Sequence, residues 1–336
     1  ELVFKHDFYD LVRLKNILLE YRAGLESMVV PGGHRLAISL ASRTISHASA
    51  LNEKWNGIHH LLFIKKLTED LSGEKLKSLA VDLALIAAGL MTGKNLKTAL
   101  IGDGRALSAA LPHALSLRDG LPEGMRDSFS LNGVSTGKDM PNEGWSTSSS
   151  ISFVAYVFNA VRMEHDDAPV LAVTGKLLKS MYLHREIREK GGAYGGYSIY
   201  SPEDGLFSYA SYRDPHIINT LKVYREAPAF IRAGNFCDED VKEAILQVCA
   251  EIDKPDPPGP AARKAFYRKI VSLSDELRAR YKSGVLAVTR GKVIAAAEKY
   301  FGDNERNCGV AVISGEEQLK SANEQLGDSA LKLFRI

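Results

Sequence analysis

The chain has 336 residues, 45% of them hydrophobic and 25% charged, enough apolar side chain for two ordinary domains with their own cores. Its 43 Lys and Arg against 41 Asp and Glu leave a net charge of +2, with basic residues dispersed among acidic ones, which argues against nucleic acid as the main partner. No apolar run approaches the roughly 20 residues of a bilayer span, so no membrane partner is expected; Cys237, Cys249 and Cys308 lack disulfide or CxxC spacing and fit a reducing compartment.

From Asp7 onward, Leu11, Leu14, Leu18, Tyr21 and Leu25 recur every three or four residues and predict an amphipathic helix ended by Pro31, Gly32 and Gly33. The segment HRLAISLASRTIS alternates weakly and fits helix or strand. Helices are expected over about 49–71 and 74–91, then a short strand in NLKTALIGD. Gly, Pro, Ser, Asn and Asp dominate between Arg118 and Ser149, which predicts a linker. Expected domains are therefore 1–118, mostly helical, and 148–336, joined by 119–147. In the second, SISFVAYVFNAV suits a strand, a helix starts near Asp167 and Ala168, and AYGGYSIYS and GLFSYASYR form a hairpin about Pro202, Glu203 and Asp204. Helices follow at IINTLKVYREAPAFI and at DEDVKEAILQVCAEI, the latter capped by Asp238. A proline-rich loop, KPDPPGPAARK, two more helices and a closing strand, CGVAVIS, complete the chain. The expected class is α+β, with helices packed on one face of an antiparallel sheet.

Most candidate chemical motifs fail on spacing. The glycines at 191, 192, 195 and 196 do not form GxGxxG, and GLMTGKN and GVSTGKD each lack a spacer residue and the hydroxyl that should follow Lys in a phosphate loop. The nine histidines include no HxxH, HxxEH or HExxH. His59 and His60 are adjacent, which a helix points about 100° apart. MEHDD at 163–167 precedes a helix and reads as a capping loop, and no GxSxG occurs.

REIREKGGAYGGYSIY, residues 185–200, is more specific. Gly191 and Gly192 suit a helix C-terminus, and Arg185, Arg188 and Lys190 complement its dipole. Capping leaves Tyr194 unexplained: flanked by small residues, its hydroxyl can stand at a surface and donate to a developing oxyanion, while the Arg188 fork can hold a carbonyl or carboxylate. Neither group generates a nucleophile.

HREIREKGGAYGG at 184–196 and DGLFSYASYRDP at 204–215, followed by TLKVYREAPAFI, resemble the pitrilysin and insulysin family of inverted-motif zinc peptidases, most closely its presequence protease branch. PGGHRLAISLAS, GIHHLLFIKKL, TGKNLKTALIGD and SGVLAVTRGKVIAAAEKYF extend the resemblance over nearly the whole chain. It implies four related α+β domains in two halves closing around a chamber, an HxxEH zinc site in the first half, and an arginine and a tyrosine reaching the substrate from the second; by the motif these are Arg188 and Tyr194. The chain has no HxxEH and begins without Met, so it is expected to be the C-terminal half: part of the third domain and all of the fourth. The resemblance also makes HRLAISLAS a helix. It implies Zn2+ in the full-length parent and none bound by this piece, an N-terminal catalytic half as partner, short unfolded peptides as substrates, and a bacterial cytoplasm or organelle matrix as location. Alone the piece should be inactive, and a partial third domain would expose apolar surface that favours self-association. The competing reading is a noncatalytic peptide-binding or scaffold subunit of the same fold.

Overall fold

A computed structural model describes residues 7–124, 139–301 and 308–336. In chain order its elements are α1 (Leu11–Ser27), α2 (Val29–Ser42), α3 (His47–Asn56), α4 (Ile58–Leu67), α5 (Gly73–Leu90), α6 (Gly104–Asp119), β1 (Asn142–Thr147), β2 (Phe153–Asn159) and α7 (Ala168–Leu178), which runs on as a π-helix (Lys179–Glu189). There follow β3 (Gly195–Ser201), β4 (Leu206–Tyr212), α8 (Ile217–Ala233), α9 (Asp238–Ile252), α10 (Pro258–Ile270), α11 (Asp275–Leu286), α12 (Arg290–Tyr300), β5 (Cys308–Gly315), α13 (Glu316–Leu326) and β6 (Lys332–Arg335).

The chain divides into two compact units, one from Glu1–Leu25, Phe63–Gly133 and Asp256–Ser272, the other from Glu26–Leu62, Val134–Pro255 and Leu273–Ile336. In the first, every regular element among the described residues is helical. Asp103 opens α6 by accepting a hydrogen bond from the Ala106 amide at 2.9 Å. The strand expected in NLKTALIGD does not form: residues 97–103 have no regular structure, and the unit's described residues hold no strand to pair with. Leu85, Ile86 and Leu90 on α5 are exposed. Among the described residues no helix is long and apolar enough to cross a membrane.

The second unit is built on one six-stranded sheet in the order β3-β4-β2-β5-β1-β6. β3, β4, β2 and β5 pair antiparallel, as expected, but β1 runs parallel to both β5 and β6, so the sheet is mixed. The physical reason is α13: it carries the chain from β5 over to β6, the crossover that parallel strands require. CGVAVIS is therefore not the closing strand.

Helices cover both faces, a second correction. Val154, Tyr156 and Phe158 of β2 share a core with Leu171, Leu177, Tyr224, Val285 and Phe301 from α7, α8, α11 and the end of α12. The alternate residues Phe153, Ala155 and Val157 are equally buried. Their face is covered by α2, which packs on β2, β4 and β5 and buries Ala37, Leu40 and Ala41 completely. Pro31, Gly32 and Gly33 do not end a helix; they lie at the start of α2, where Pro lacks no needed donor. Gly33 is required by contact, because a Cβ there would stand 2.4 Å from the Phe153 ring.

These contacts move the expected domain boundaries. Glu26–Leu62 belongs with the sheet because α2 is one of its layers, and residues 142–147, expected in the linker, form a strand paired on both sides. Residues 125–138 of that linker lie outside the described residues, and GVSTGKD falls mostly there. Among the described residues three helices, α10, α11 and α12, lie between α9 and β5, where two were expected. α10 starts at Pro258, inside the expected proline-rich loop, because proline is favoured in a helix's first turn. α9 is capped by Cys237 rather than Asp238; the Asp240 carboxylate accepts from the Cys237 amide at 2.7 Å, closing a capping box.

Candidate functional site

Leu183 and Ile187, four apart, are buried in the core, while Arg188 is exposed. Bonding here is i to i−5, seen where the Lys190 amide donates to the Arg185 carbonyl at 3.0 Å; π-helices are rare and collect at functional sites. The helix stops as the glycines require. Gly192 has φ +71°, its amide donates to the Arg188 carbonyl, and the Ala193 amide reaches back to the Ile187 carbonyl at 3.1 Å. Each bond reaches one residue further back than in a Schellman motif, as the wider π turn requires, and Ala193 and Ile187 are both buried.

The second glycine pair answers to packing. A Cβ on Gly196 would lie 3.1 Å from the Ile187 Cβ and from the Leu183 carbonyl oxygen, so β3 rests directly on the π-helix. Ala193, Gly195 and Gly196 are buried; between them Tyr194 is 69% exposed. Its amide donates to the Tyr212 carbonyl at 3.1 Å, and its ring meets the Tyr212 ring edge to face at 5.8 Å. The backbone on both sides is anchored, and the phenol projects.

Arg188 is also exposed, and its guanidinium donates to His184 Nε2 at 2.9 Å. His184 Nδ1 faces Glu189 Oε1 at 3.3 Å, so carboxylate, imidazole and guanidinium stand in one row. The two expected residues thus flank one turn, each held by its own support; no hydrogen bond joins them among the described residues.

Several neighbours were not singled out by sequence spacing. Tyr212 is central: besides Tyr194 it meets His34 edge to face at 5.1 Å and Phe153 at 5.6 Å, with the Arg213 guanidinium 5.7 Å above its ring. Arg213 sits at φ +51°, an uncommon conformation for a residue with a Cβ, in the loop that receives the Tyr194 amide. His34, from α2, stacks on Tyr197 at 5.5 Å; burial, followed by the charge of Arg35, lowers its pKa and so favours the neutral ring. Only α2 docking on the sheet brings these groups together, and no motif spacing encodes that.

The loop is held from below by Asp214, which is 1% exposed. Its carboxylate accepts from the Thr220 hydroxyl at 2.6 Å and the His216 amide at 2.9 Å, and its backbone forms a bridge with Ser152. Burial raises its pKa above the ordinary aspartate range, outweighing the hydrogen bonds from Thr220, His216 and Ser211. The native state thus holds this proton more tightly than the unfolded chain. The resulting stabilisation is complete below the unfolded pKa and lost as pH rises through the native one. Asp214→Asn is expected to gain stability relative to the parent protein as pH is raised from about 4 to about 8. Urea midpoints across that range measure it; parallel curves for the two proteins would show that the carboxyl keeps its ordinary proton affinity.

Among the described residues no three His, Cys, Asp or Glu side chains gather as a metal ligand set. Two of the ligand-like groups of MEHDD are otherwise engaged: Asp167 accepts from Lys299 and from the Tyr300 hydroxyl, each at 2.6 Å, and His165 lies 3.7 Å from Asp167. His59 pairs with the buried Glu53 at 2.9 Å.

Two family models match the chain: the PreP C-terminal domain over residues 149–313, and a domain associated with subfamily C of the M16 peptidases over residues 1–67. The mitochondrial presequence protease of Danio rerio is 27% identical over 333 residues, covering 93% of this chain and 32% of that protein. Presequence protease 1, chloroplastic/mitochondrial, of Arabidopsis thaliana is 25% identical over 323 residues, covering 95% and 29%. The chain spans about a third of the length of the curated relatives it matches. Among solved structures, a peptidase M16 inactive domain from Pseudomonas fluorescens superposes with a TM-score of 0.60 at 16% identity, over 91% of this chain and 70% of that one, a likeness of fold.

Proposed function

Because the chain belongs to the pitrilysin-type M16 peptidases and carries their presequence-protease C-terminal domain, we propose that it is the substrate-gripping half of an endopeptidase. One observation carries this reading: the Tyr194 phenol stands exposed on a turn whose flanking residues Ala193, Gly195 and Gly196 are buried and whose backbone is tied on both sides. A packed tyrosine would have been structural. In the proposed mechanism the Tyr194 hydroxyl donates to the oxygen of a peptide carbonyl as it gains charge, while Arg188, oriented through His184 and Glu189, holds a carbonyl or carboxylate of the substrate. Donors fixed in place before reaction lose little to reorganisation when charge develops.

The family implies zinc. Among the described residues no three acidic, imidazole or thiol groups converge to hold it, and Asp167 and His59 are already paired. We place the metal and the water-activating base in an N-terminal half. Zinc analysis of the isolated 336-residue chain is expected to find well under one equivalent; a full, tightly held equivalent would place a ligand set within it.

The relatives' names tie them to presequences and to mitochondria or chloroplasts. We extend from these to short, unfolded, targeting-peptide-like substrates and to an organelle matrix or bacterial cytoplasm. The sheet-containing unit is, in this proposal, the fourth peptidase-like domain, with the helical unit contributing to the third. Arg188→Ala in the full-length protein is expected to impair peptide turnover at least about ten-fold with the thermal midpoint nearly unchanged, because the guanidinium is exposed and its side-chain partner is a surface histidine. Kinetics and thermal unfolding of the same preparation check both halves of that statement. A variant that mainly unfolds would make Arg188 a helix cap.

A further inference from the structure

Among the described residues β3 is an edge strand, hydrogen-bonded on one side only, to β4. Half of its backbone N–H and C=O groups therefore face away from the sheet, and those of residues 195–200 find no partner among the described residues. Beside this edge lies a cavity of about 350 Å³. Tyr197, Ser198, Ile199 and Tyr200 all line it. A strand offers every second residue to something on its face, so four in succession mean that the cavity runs along the edge. Val248 and Ile252 of α9 form an apolar wall.

Ser198 marks the floor. It is 5% exposed, and its hydroxyl oxygen is shut off from solvent without a hydrogen-bond partner. A buried hydroxyl left unpaired is costly, so such a group points to something that binds it. At the rim, Lys176 is neutralised by Glu251 at 2.5 Å, and the Lys179 ammonium stands 5.9 Å from the Tyr197 ring centroid.

We propose that an extended, unfolded peptide docks here as a seventh strand beside β3, with an apolar side chain in the cavity and a polar group of the ligand paired to the Ser198 hydroxyl. Unpaired main-chain groups supply the affinity and the cavity selects the side chain. The inference deepens the proposed function and rests on it. β3 begins at the residue after Tyr194, so a chain paired along this edge is led to the projecting phenol.

The test uses the 336-residue chain and a fluorescently labelled peptide of about 12 residues of alternating Leu and Ser. Two further peptides carry N-methyl groups on one or the other alternate set of amides. Because only one edge of the peptide faces β3, one methylated peptide should bind about ten-fold or more weakly and the other nearly as well as the parent. Hydrogen exchange should slow at residues 195–201 when the parent peptide is bound. Ser198→Ala, which removes the hydroxyl and adds no atom to the packed site, should weaken binding about five-fold. Equal binding by all three peptides, no binding by the parent, protection centred away from 195–201, or unchanged binding by Ser198→Ala would each overturn the proposal. The readout is binding along β3, whereas the role of Tyr194 is read from turnover, so either can fail while the other stands.

Discussion

Tyr194→Phe, introduced into a full-length protein carrying this segment, is expected to lower kcat about ten- to a thousand-fold with little change in KM. The substitution removes only the hydroxyl. The ring contact with Tyr212 and the amide bond to the Tyr212 carbonyl do not involve that oxygen, so the turn and its exposure survive. A donor aimed at an oxyanion strengthens as charge develops on the carbonyl, so its loss falls on the chemical step, by about 1.4 to 4 kcal/mol. Steady-state kinetics on an unstructured peptide decides the matter. An unchanged kcat removes Tyr194 from the chemistry, and a rise in KM alone makes it a ground-state binding group.

Gly309→Ala is expected to cost about 3 kcal/mol or more, the upper end of overpacking effects. A Cβ at this position in β5 would stand 1.9 Å from the Ala41 carbonyl oxygen and 2.8 Å from its carbon. Both are main-chain atoms of α2, so no side chain can rotate away and the helix must lift from the sheet. Lifting it would loosen His34 from Tyr197 and Tyr212, and with them the ring on which Tyr194 rests. Thermal unfolding should show a midpoint lower by roughly 6 to 12 °C. Gly291→Ala is the control: a Cβ there meets nothing within 4 Å, and the midpoint should hold or rise slightly. Equal behaviour of the two variants would show that α2 yields without cost.

The elements most legible in sequence were those whose causes are local. Leu11, Leu14 and Leu18 repeat at helical spacing, and α1 spans them. AYGGYSIYS and GLFSYASYR carry the aromatic and β-branched residues of a hairpin, and β3 and β4 pair from Gly195 with Tyr212 to Ser201 with Leu206. Gly192 needs a positive φ, and the helix stops there. The exposure of Tyr194 follows from its small neighbours. HRLAISLAS was different: its pattern fits two structures, and only the resemblance to a family favoured the helix found.

Where tertiary contact decides, local signals misled. PGG looks like a stop, yet its glycines open α2 because the Phe153 ring leaves no room for a Cβ at Gly33. TALIGD has strand composition, yet the described residues of its unit hold no strand to receive it. β1 looked like linker because NEGWST is polar and glycine-containing; it is a strand because β5 and β6 flank it.

Read alone, the sequence determined the helical repeat of α1, the start of α7 near Ala168, the glycine stop at Gly192 and the hairpin after it, and that a phenol and a guanidinium lie on either side of that turn. Those outcomes depend on backbone conformations and side-chain spacings within a few residues of each other. Only the tertiary structure decided that α2 covers the second face of the sheet, that two strand pairings are parallel, and that Tyr212, His34 and Asp214 support the site. These depend on atoms brought together from distant parts of the chain, and their selection is made by packing volume and hydrogen-bond completion in three dimensions.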